Sequence, residues 1–251
     1  MVQVFCGSEE KREDGGLVLT GENFHHAVQV LRLREGDEIS VYFEGDTAEY
    51  RYGIEKISPD AAECRLYFVK EAEVELPCKI TVLQGLPKAD KMETVIQKST
   101  ELGACAVIPV SCARSVVKLD EKKSATKQSR WAKIAESAAA QSHRAVIPVV
   151  ERPVSFDRAL DMMKDADVKL IPYELAAEHG AAMERTRELI RSVRPGQKVA
   201  VLIGPEGGFT EEEAGKATEA GFEMITLGRR ILRTETAAMT VLSWLVLELE
   251  K

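Results

Sequence analysis

The spacing of apolar positions divides the chain in two. Over residues 1–72 they fall in short runs bounded by turn residues. Val2–Cys6, Leu17–Leu19, Glu38–Phe43, Glu49–Ile57 and Ala62–Val69 read as strands, with turns at Gly15-Gly16, Glu35-Gly36-Asp37 and Gly45-Asp46. One stretch differs: Gly21–Leu33 places Phe24, Ala27/Val28 and Leu31 at helical spacing. So many short strands in so short a segment predict a small β-barrel. The charged, proline-closed stretch Glu71–Pro77 predicts a boundary, with domains at 1–72 and 73–251.

Beyond it the pattern alternates. Strands Ile80–Gln84, Ala106–Val110, Val146–Val150, Val168–Pro172, Lys198–Ile203 and Glu223–Leu227 each precede a helix. The helices are Ala89–Leu102, Thr126–Gln141, Ser155–Lys164, Gly180–Val193, Glu211–Ala220 and Thr234–Glu248. Such alternation predicts βαβ units and an α/β fold with a mostly parallel sheet. The last helix is apolar around most of its circumference, which one sheet cannot cover, so it predicts a homodimer.

Composition narrows the class. Of 251 residues, 45% are hydrophobic and 30% charged, which argues against a disordered, fibrous or membrane protein. No apolar run approaches the ~20 residues of a bilayer span, and the first residues lack the pattern of a signal peptide. The five cysteines include no Cys-x-x-Cys pair, so neither a disulfide framework nor a metal site is expected. A cytoplasmic location follows as an expectation. The net charge of −7 is uneven: residues 73–150 carry +4, and 111–144 hold 8 basic residues against 3 acidic. A local basic stripe suits a phosphate backbone whatever the overall sign.

Two segments carry candidate chemistry. In Val201–Thr210 (VLIGPEGGFT) an apolar strand enters a glycine-rich loop, and Thr210 with Glu213 forms a capping box opening a helix. Its spacing matches neither a dinucleotide fingerprint nor a P-loop, and Glu206 favours a cationic ligand over a polyphosphate. The plain alternative is a tight turn that needs glycine. Leu227–Ala237 (LGRRILRTETA) repeats the strand–glycine–helix plan, with Thr234 as the expected cap. Its arginines crowd a helix start, where positive charge opposes the dipole. Both loops would meet at the carboxyl edge of the sheet, where α/β proteins bind ligands.

Together, GPEGGFTEEE and LGRRILRTETAAM resemble the C-terminal signature of the RsmE family, bacterial 16S rRNA uridine-N3 methyltransferases of the SPOUT superfamily. HHAVQVLRLREGD, KADKMETVIQKSTELG and RWAKIAESAAAQSHRAVIP extend the likeness over nearly the whole chain. The resemblance implies a PUA-like barrel, a SPOUT domain with a trefoil knot at about 195–251, S-adenosylmethionine (SAM) as cofactor, and a homodimer acting on 16S rRNA, in the 30S subunit. Two positions depart from the family pattern: Ala140, where an acidic residue is usual, and Gln3, where an arginine is.

Carried over, SAM would rest on Leu202, Gly204, Glu206, Gly207, Leu227, Gly228, Ile231, Leu232 and Arg233, with Tyr173 closing the pocket. Uracil N3–H is a weak acid, so donors aimed at O2 or O4 would favour its anion. Arg233 and Arg229 are the candidates. Glu235 would take the proton, orient an arginine or merely complement the helix dipole. Arg32, Arg34, Arg114, Lys118, Lys122, Lys123, Lys127, Arg130, Lys133 and Arg144 are candidate RNA contacts, Arg144 equally a partner-subunit contact, with solvated or salt-bridged surface as the alternative. His25-His26 lack a third ligand for a metal, and Trp131 and Trp244 read as packing residues. Competing functions are another SPOUT RNA methyltransferase, acting on ribose 2′-O or a tRNA base, and a non-catalytic ribosome-assembly factor.

Overall fold

The computed structural model describes residues 2–12, 14–71, 73–117, 120–174 and 182–250, and forms two units. The first comprises residues 1–75 with 139–146, the second 76–138 with 147–251.

In the first unit, strands β1 (Val2–Cys6), β2 (Leu17–Leu19), β3 (Glu38–Phe43), β4 (Ala48–Ile57) and β5 (Ala62–Glu71) form one curled sheet, a half-barrel. Its order is β1-β3-β4-β5-β2, with only the β1–β3 pair parallel. Alternate residues point inward, burying Val4, Leu17, Leu19, Ile39, Val41, Tyr52 and Ile54 in one core. The expected helix Gly21–Leu33 is shorter and irregular. One α turn, α1 (Gly21–Phe24), widens into a π turn over His25–Val30, where the Leu31 N–H reaches the His26 carbonyl at 2.9 Å. The wider turn keeps Phe24 and Ala27 buried but turns Leu31 to solvent.

Residues 139–146 join this unit through polar contacts. Glu75 accepts from the backbone N–H of Ala145 and Val146 at 3.0 and 3.2 Å and from the Arg144 guanidinium. Gln3 donates its side-chain amide to the Arg144 carbonyl. Of the expected strand Val146–Val150 only the last two residues are extended in the sheet.

The second unit is a seven-stranded sheet: β6 (Lys79–Gly85), β7 (Ala106–Ser111), β8 (Val149–Val150), β9 (Val154–Ser155), β10 (Val168–Pro172), β11 (Lys198–Ile203) and β12 (Glu223–Ile225). All pairings are parallel, in the order β12-β10-β11-β6-β7-β8, with β9 also on β7. Between the strands lie α2 (Lys91–Glu101), α3 (Glu121–Gln141), α4 (Phe156–Met162), α5 (Met183–Ser192) and α6 (Glu211–Glu219), and α7 (Thr234–Leu249) ends the unit. Gly180, the expected start of the fourth helix, lies outside the described residues. The apolar run in β11 serves two faces. Val199, Val201 and Ile203 pack with residues of α2, α5 and α7, while Ala200 and Leu202 pack with residues of α4 and α6. Helix α3 begins five residues before its expected start, so Lys122 and Lys123 are helical rather than in a loop.

Because every strand is parallel, the segments after β10, β11 and β12 leave from one edge. After β12 the chain returns across that edge to place α7 beside α2 and β11. The N-cap of α7 is Arg233, not the expected Thr234, and it makes no side-chain capping bond. The Thr234 hydroxyl instead donates to the Gly204 carbonyl at 2.6 Å and accepts from Gln84 Nε2 at 2.8 Å.

Candidate functional site

At the carboxyl edge of the second sheet, three segments enclose a cavity of about 480 Å³, within the range of small-molecule sites. They are the end of β10 (Pro172, Tyr173, Glu174), the loop after β11 (Gly204, Pro205, Glu206, Gly208, Phe209), and Thr226–Thr234 with Ala237. Lys91, the first residue of α2, completes the wall.

The loop after β11 is shaped by its glycines and its ties. A Cβ at Gly204 would lie 3.2 Å from Gly208 Cα and 3.3 Å from Phe209 Cε2, so this glycine lets the loop fold on itself. A larger residue there would disturb the loop as well as any ligand. Gly208 and Gly228 adopt positive φ of 66° and 103°, with no neighbour closer than 3.8 Å to where a Cβ would sit. At both positions the positive φ, not crowding, is what calls for glycine. The capping box is formed: Glu213 Oε2 accepts from the Thr210 N–H while the Thr210 hydroxyl accepts from the Glu213 N–H. Glu213 Oε1 also accepts from Ala113 N at 2.7 Å, and Arg114 donates to the Gly207 carbonyl at 2.9 Å. Part of the basic segment thus braces the loop.

Electrostatically the lining carries both signs. Arg229, Arg230 and Arg233 line the cavity, are exposed, and make no ion pair among the described residues. Opposite charge gathers at Lys91, whose Nζ lies 2.9 Å from Glu206 Oε1 and 3.9 Å from Glu235 Oε2. Burial disfavours the Glu206 carboxylate, but the Lys91 ammonium and the Lys88 N–H outweigh it and hold the carboxyl below its usual range. Its charge is therefore already shared with a lysine. Glu235 orients no arginine among the described residues.

The structure brings together most of the expected site. Tyr173, Gly204, Glu206, Leu227, Gly228, Arg229, Ile231, Leu232 and Arg233 all line the cavity. Leu202 and Gly207 do not: Leu202 is buried beneath, and Gly207 faces Arg114. Glu235 lies behind Lys91, outside the lining. Lys91 and Gln84 were missed. Lys91 carried a legible signal, a cation at a helix start against the dipole. Gln84 carried none, since the site residues it holds, Gly204 and Thr234, are 120 and 150 residues away.

The basic candidates separate. Arg32, at φ 58°, and Arg34 are exposed. On α3, Lys123, Lys127 and Arg130 share a face at i, i+4 and i+7, with Lys122 beside them and Lys133 further along. Lys123 pairs with Asp120 and Arg130 with Glu93. Lys118 lies outside the described residues. Arg144 departs from the expectation: its side chain is 4% exposed and bound to Glu75, so it offers neither surface contact nor surface salt bridge. Trp131 is buried in a cluster with Met92, Ile96 and Ala135. Among the described residues no group of His, Cys, Asp or Glu could hold a metal, and no helix is long and apolar enough to cross a membrane.

Fold and cavity define a class: the chain belongs to a family of RNA methyltransferases with a PUA domain. A model described as the RNA methyltransferase domain matches residues 74–246, and one described as the RNA methyltransferase PUA domain matches 19–67. Within it, the chain is 42% identical over 225 residues to ribosomal RNA small subunit methyltransferase E of Bacillus subtilis (strain 168), covering 90% of this chain and 87% of that protein. A relative of the same name from Synechocystis sp. is 32% identical, over 90% of this chain and 71% of that protein. The crystal structure of ribosomal RNA small subunit methyltransferase E from Neisseria gonorrhoeae bound to S-adenosyl methionine is similar with TM-score 0.80 and 30% identity. That match covers 97% of this chain and 95% of the other.

Proposed function

We propose that this chain is a SAM-dependent methyltransferase of 16S rRNA that methylates N3 of a uridine. The observation that carries the reading is the meeting of both glycine loops around one cavity. The residues fit the cofactor: half-buried Leu227 and Leu232 offer apolar surface to adenine, and Gly208 and Gly228 keep side chains out of the cavity wall. When bound, SAM supplies an electrophilic methyl group on a sulfonium. Arg233, assisted by Arg229, donates to the uracil oxygen that gains charge as N3 loses its proton. Thr234, held by Gln84 and Gly204, fixes where the adjacent Arg233 enters the cavity. Lys122, Lys123, Lys127 and Arg130 on α3, with Arg32 and Arg34 on the barrel, meet RNA phosphates. Arg114 braces Gly207 and extends that footprint toward the cavity.

The substrate is the 30S particle in this reading, and the working form is a homodimer whose C-terminal segment is knotted. The return of the chain from β12 across the strand ends supports the knot. A groove of about 390 Å³ between α5 and α7, lined by Met183, Ile190, Trp244 and a largely exposed Leu247, supports the dimer. Nucleoside mass spectrometry and primer extension on rRNA from a deletion strain test the activity. Loss of a single 3-methyluridine, restored by the gene, is the expected result; an unchanged modification pattern would overturn it.

A further inference from the structure

One ammonium at the cavity wall faces two carboxylates. Lys91 Nζ is 2.9 Å from Glu206 and 3.9 Å from Glu235, and the Glu206 carboxylate also accepts the Lys88 N–H. Glu235 Oε2 differs: it is buried and accepts no hydrogen bond, so its charge is the least compensated of the group. Counted together, the three side chains carry a net charge of −1. Arg229, Arg230 and Arg233 also line the cavity but are exposed, so solvent and salt screen their charge.

We propose that Lys91, Glu206 and Glu235 form a charge triad that sets the preference of the site for the sulfonium of SAM over the neutral thioether of S-adenosylhomocysteine (SAH), with Lys91 limiting that preference. The inference rests on the methyltransferase reading. In the transfer, N3 gives its proton to water and its electron pair takes the methyl carbon, while the C–S electron pair stays on sulfur. Positive charge is thereby lost at sulfur. A net −1 favours the charged cofactor. A net −2 would bind it more tightly still and raise the barrier to a step that removes the charge, since ground-state binding does not speed chemistry. Lys91 holds the balance between cofactor capture and turnover.

SAM and SAH share every contact except the methyl group and its charge, so the ratio of their affinities isolates the electrostatic effect. It is also insensitive to partial unfolding of a variant, because both ligands meet the same folded fraction. The test is titration calorimetry of SAM and SAH on the full chain at a pH well above the carboxylate range. Relative to the unsubstituted chain, Lys91→Met should raise Kd(SAH)/Kd(SAM) about fivefold, the order of one unit charge acting through largely aqueous surroundings. Glu235→Gln and Glu206→Gln should each lower it by about the same factor, and Lys91→Arg should leave it unchanged. If both affinities move together in Lys91→Met and Glu235→Gln, leaving the ratio constant, the triad is only structural and the inference fails. Absence of any SAM binding by the unsubstituted chain would instead overturn the methyltransferase reading itself.

Discussion

Arg233 stands in the cavity wall without an ion pair among the described residues, and the neighbouring Glu235 turns to Lys91 instead. A guanidinium so placed is free to meet developing charge on substrate. Arg233→Ala should therefore slow single-turnover methyl transfer by about 10²–10³ while changing SAM affinity much less. Arg233→Lys should rescue poorly, because a flexible point charge cannot reproduce a planar fork. A chemical step within a few-fold of the unsubstituted rate would remove Arg233 from catalysis. Glu49 is a residue of the opposite kind, concerned with stability. Burial alone would raise its carboxyl, but Arg51, Lys70 and the Ser40 hydroxyl outweigh burial and lower its pKa from 4.5 to about 2. The folded state thus binds its proton less readily than the unfolded chain, and the stability it contributes is lost as pH falls from about 4.5 through about 2. Urea-unfolding midpoints of Glu49→Gln should vary less with pH across that window than those of the unsubstituted chain.

At the scale of elements, α3 is the test of how RNA is held. Its Lys123, Lys127 and Arg130 repeat at helical spacing, and Lys122 adds charge beside them. Replacing Lys122, Lys123 and Lys127 by Glu should weaken binding to rRNA fragments generally and reduce the slope of log K against log salt by about 2–3. An unchanged slope would move the footprint to Arg32 and Arg34 on the barrel. The elements themselves were largely legible, because alternation of two and periodicity of 3.6 are local properties of the chain. The exceptions have physical causes. The π turn at His25–Val30 changes the residues per turn, so Leu31 left its expected face. Thr234 looked like a cap because its type and position suit one, yet Gln84 and Gly204 claim its hydroxyl.

For the whole molecule, the question is what covers α7. Ala238, Val241, Leu242 and Leu245 are buried within the unit, while Leu247 is 76% exposed beside Trp244. Leu247→Glu should shift the chain from dimer toward monomer in sedimentation velocity, with the unfolding transition of the monomer retained. A dimer that persists unchanged would place the interface elsewhere.

The sequence by itself determined the two-part plan, the parallel α/β sheet, and the two glycine loops, because strand polarity and turn chemistry are written in neighbouring residues. It also singled out Arg229, Arg233 and Glu206, which the structure brings to one cavity lining. Partnership needed the tertiary structure. Arg144 reads as a surface cation until Glu75, 69 residues earlier, is found against it. Glu206 reads as a free anion until Lys91, 115 residues earlier, takes up its charge. A charged side chain acts through its nearest neighbours, and in a sheet that runs β12-β10-β11-β6 those neighbours are set by strand order, not by distance along the chain.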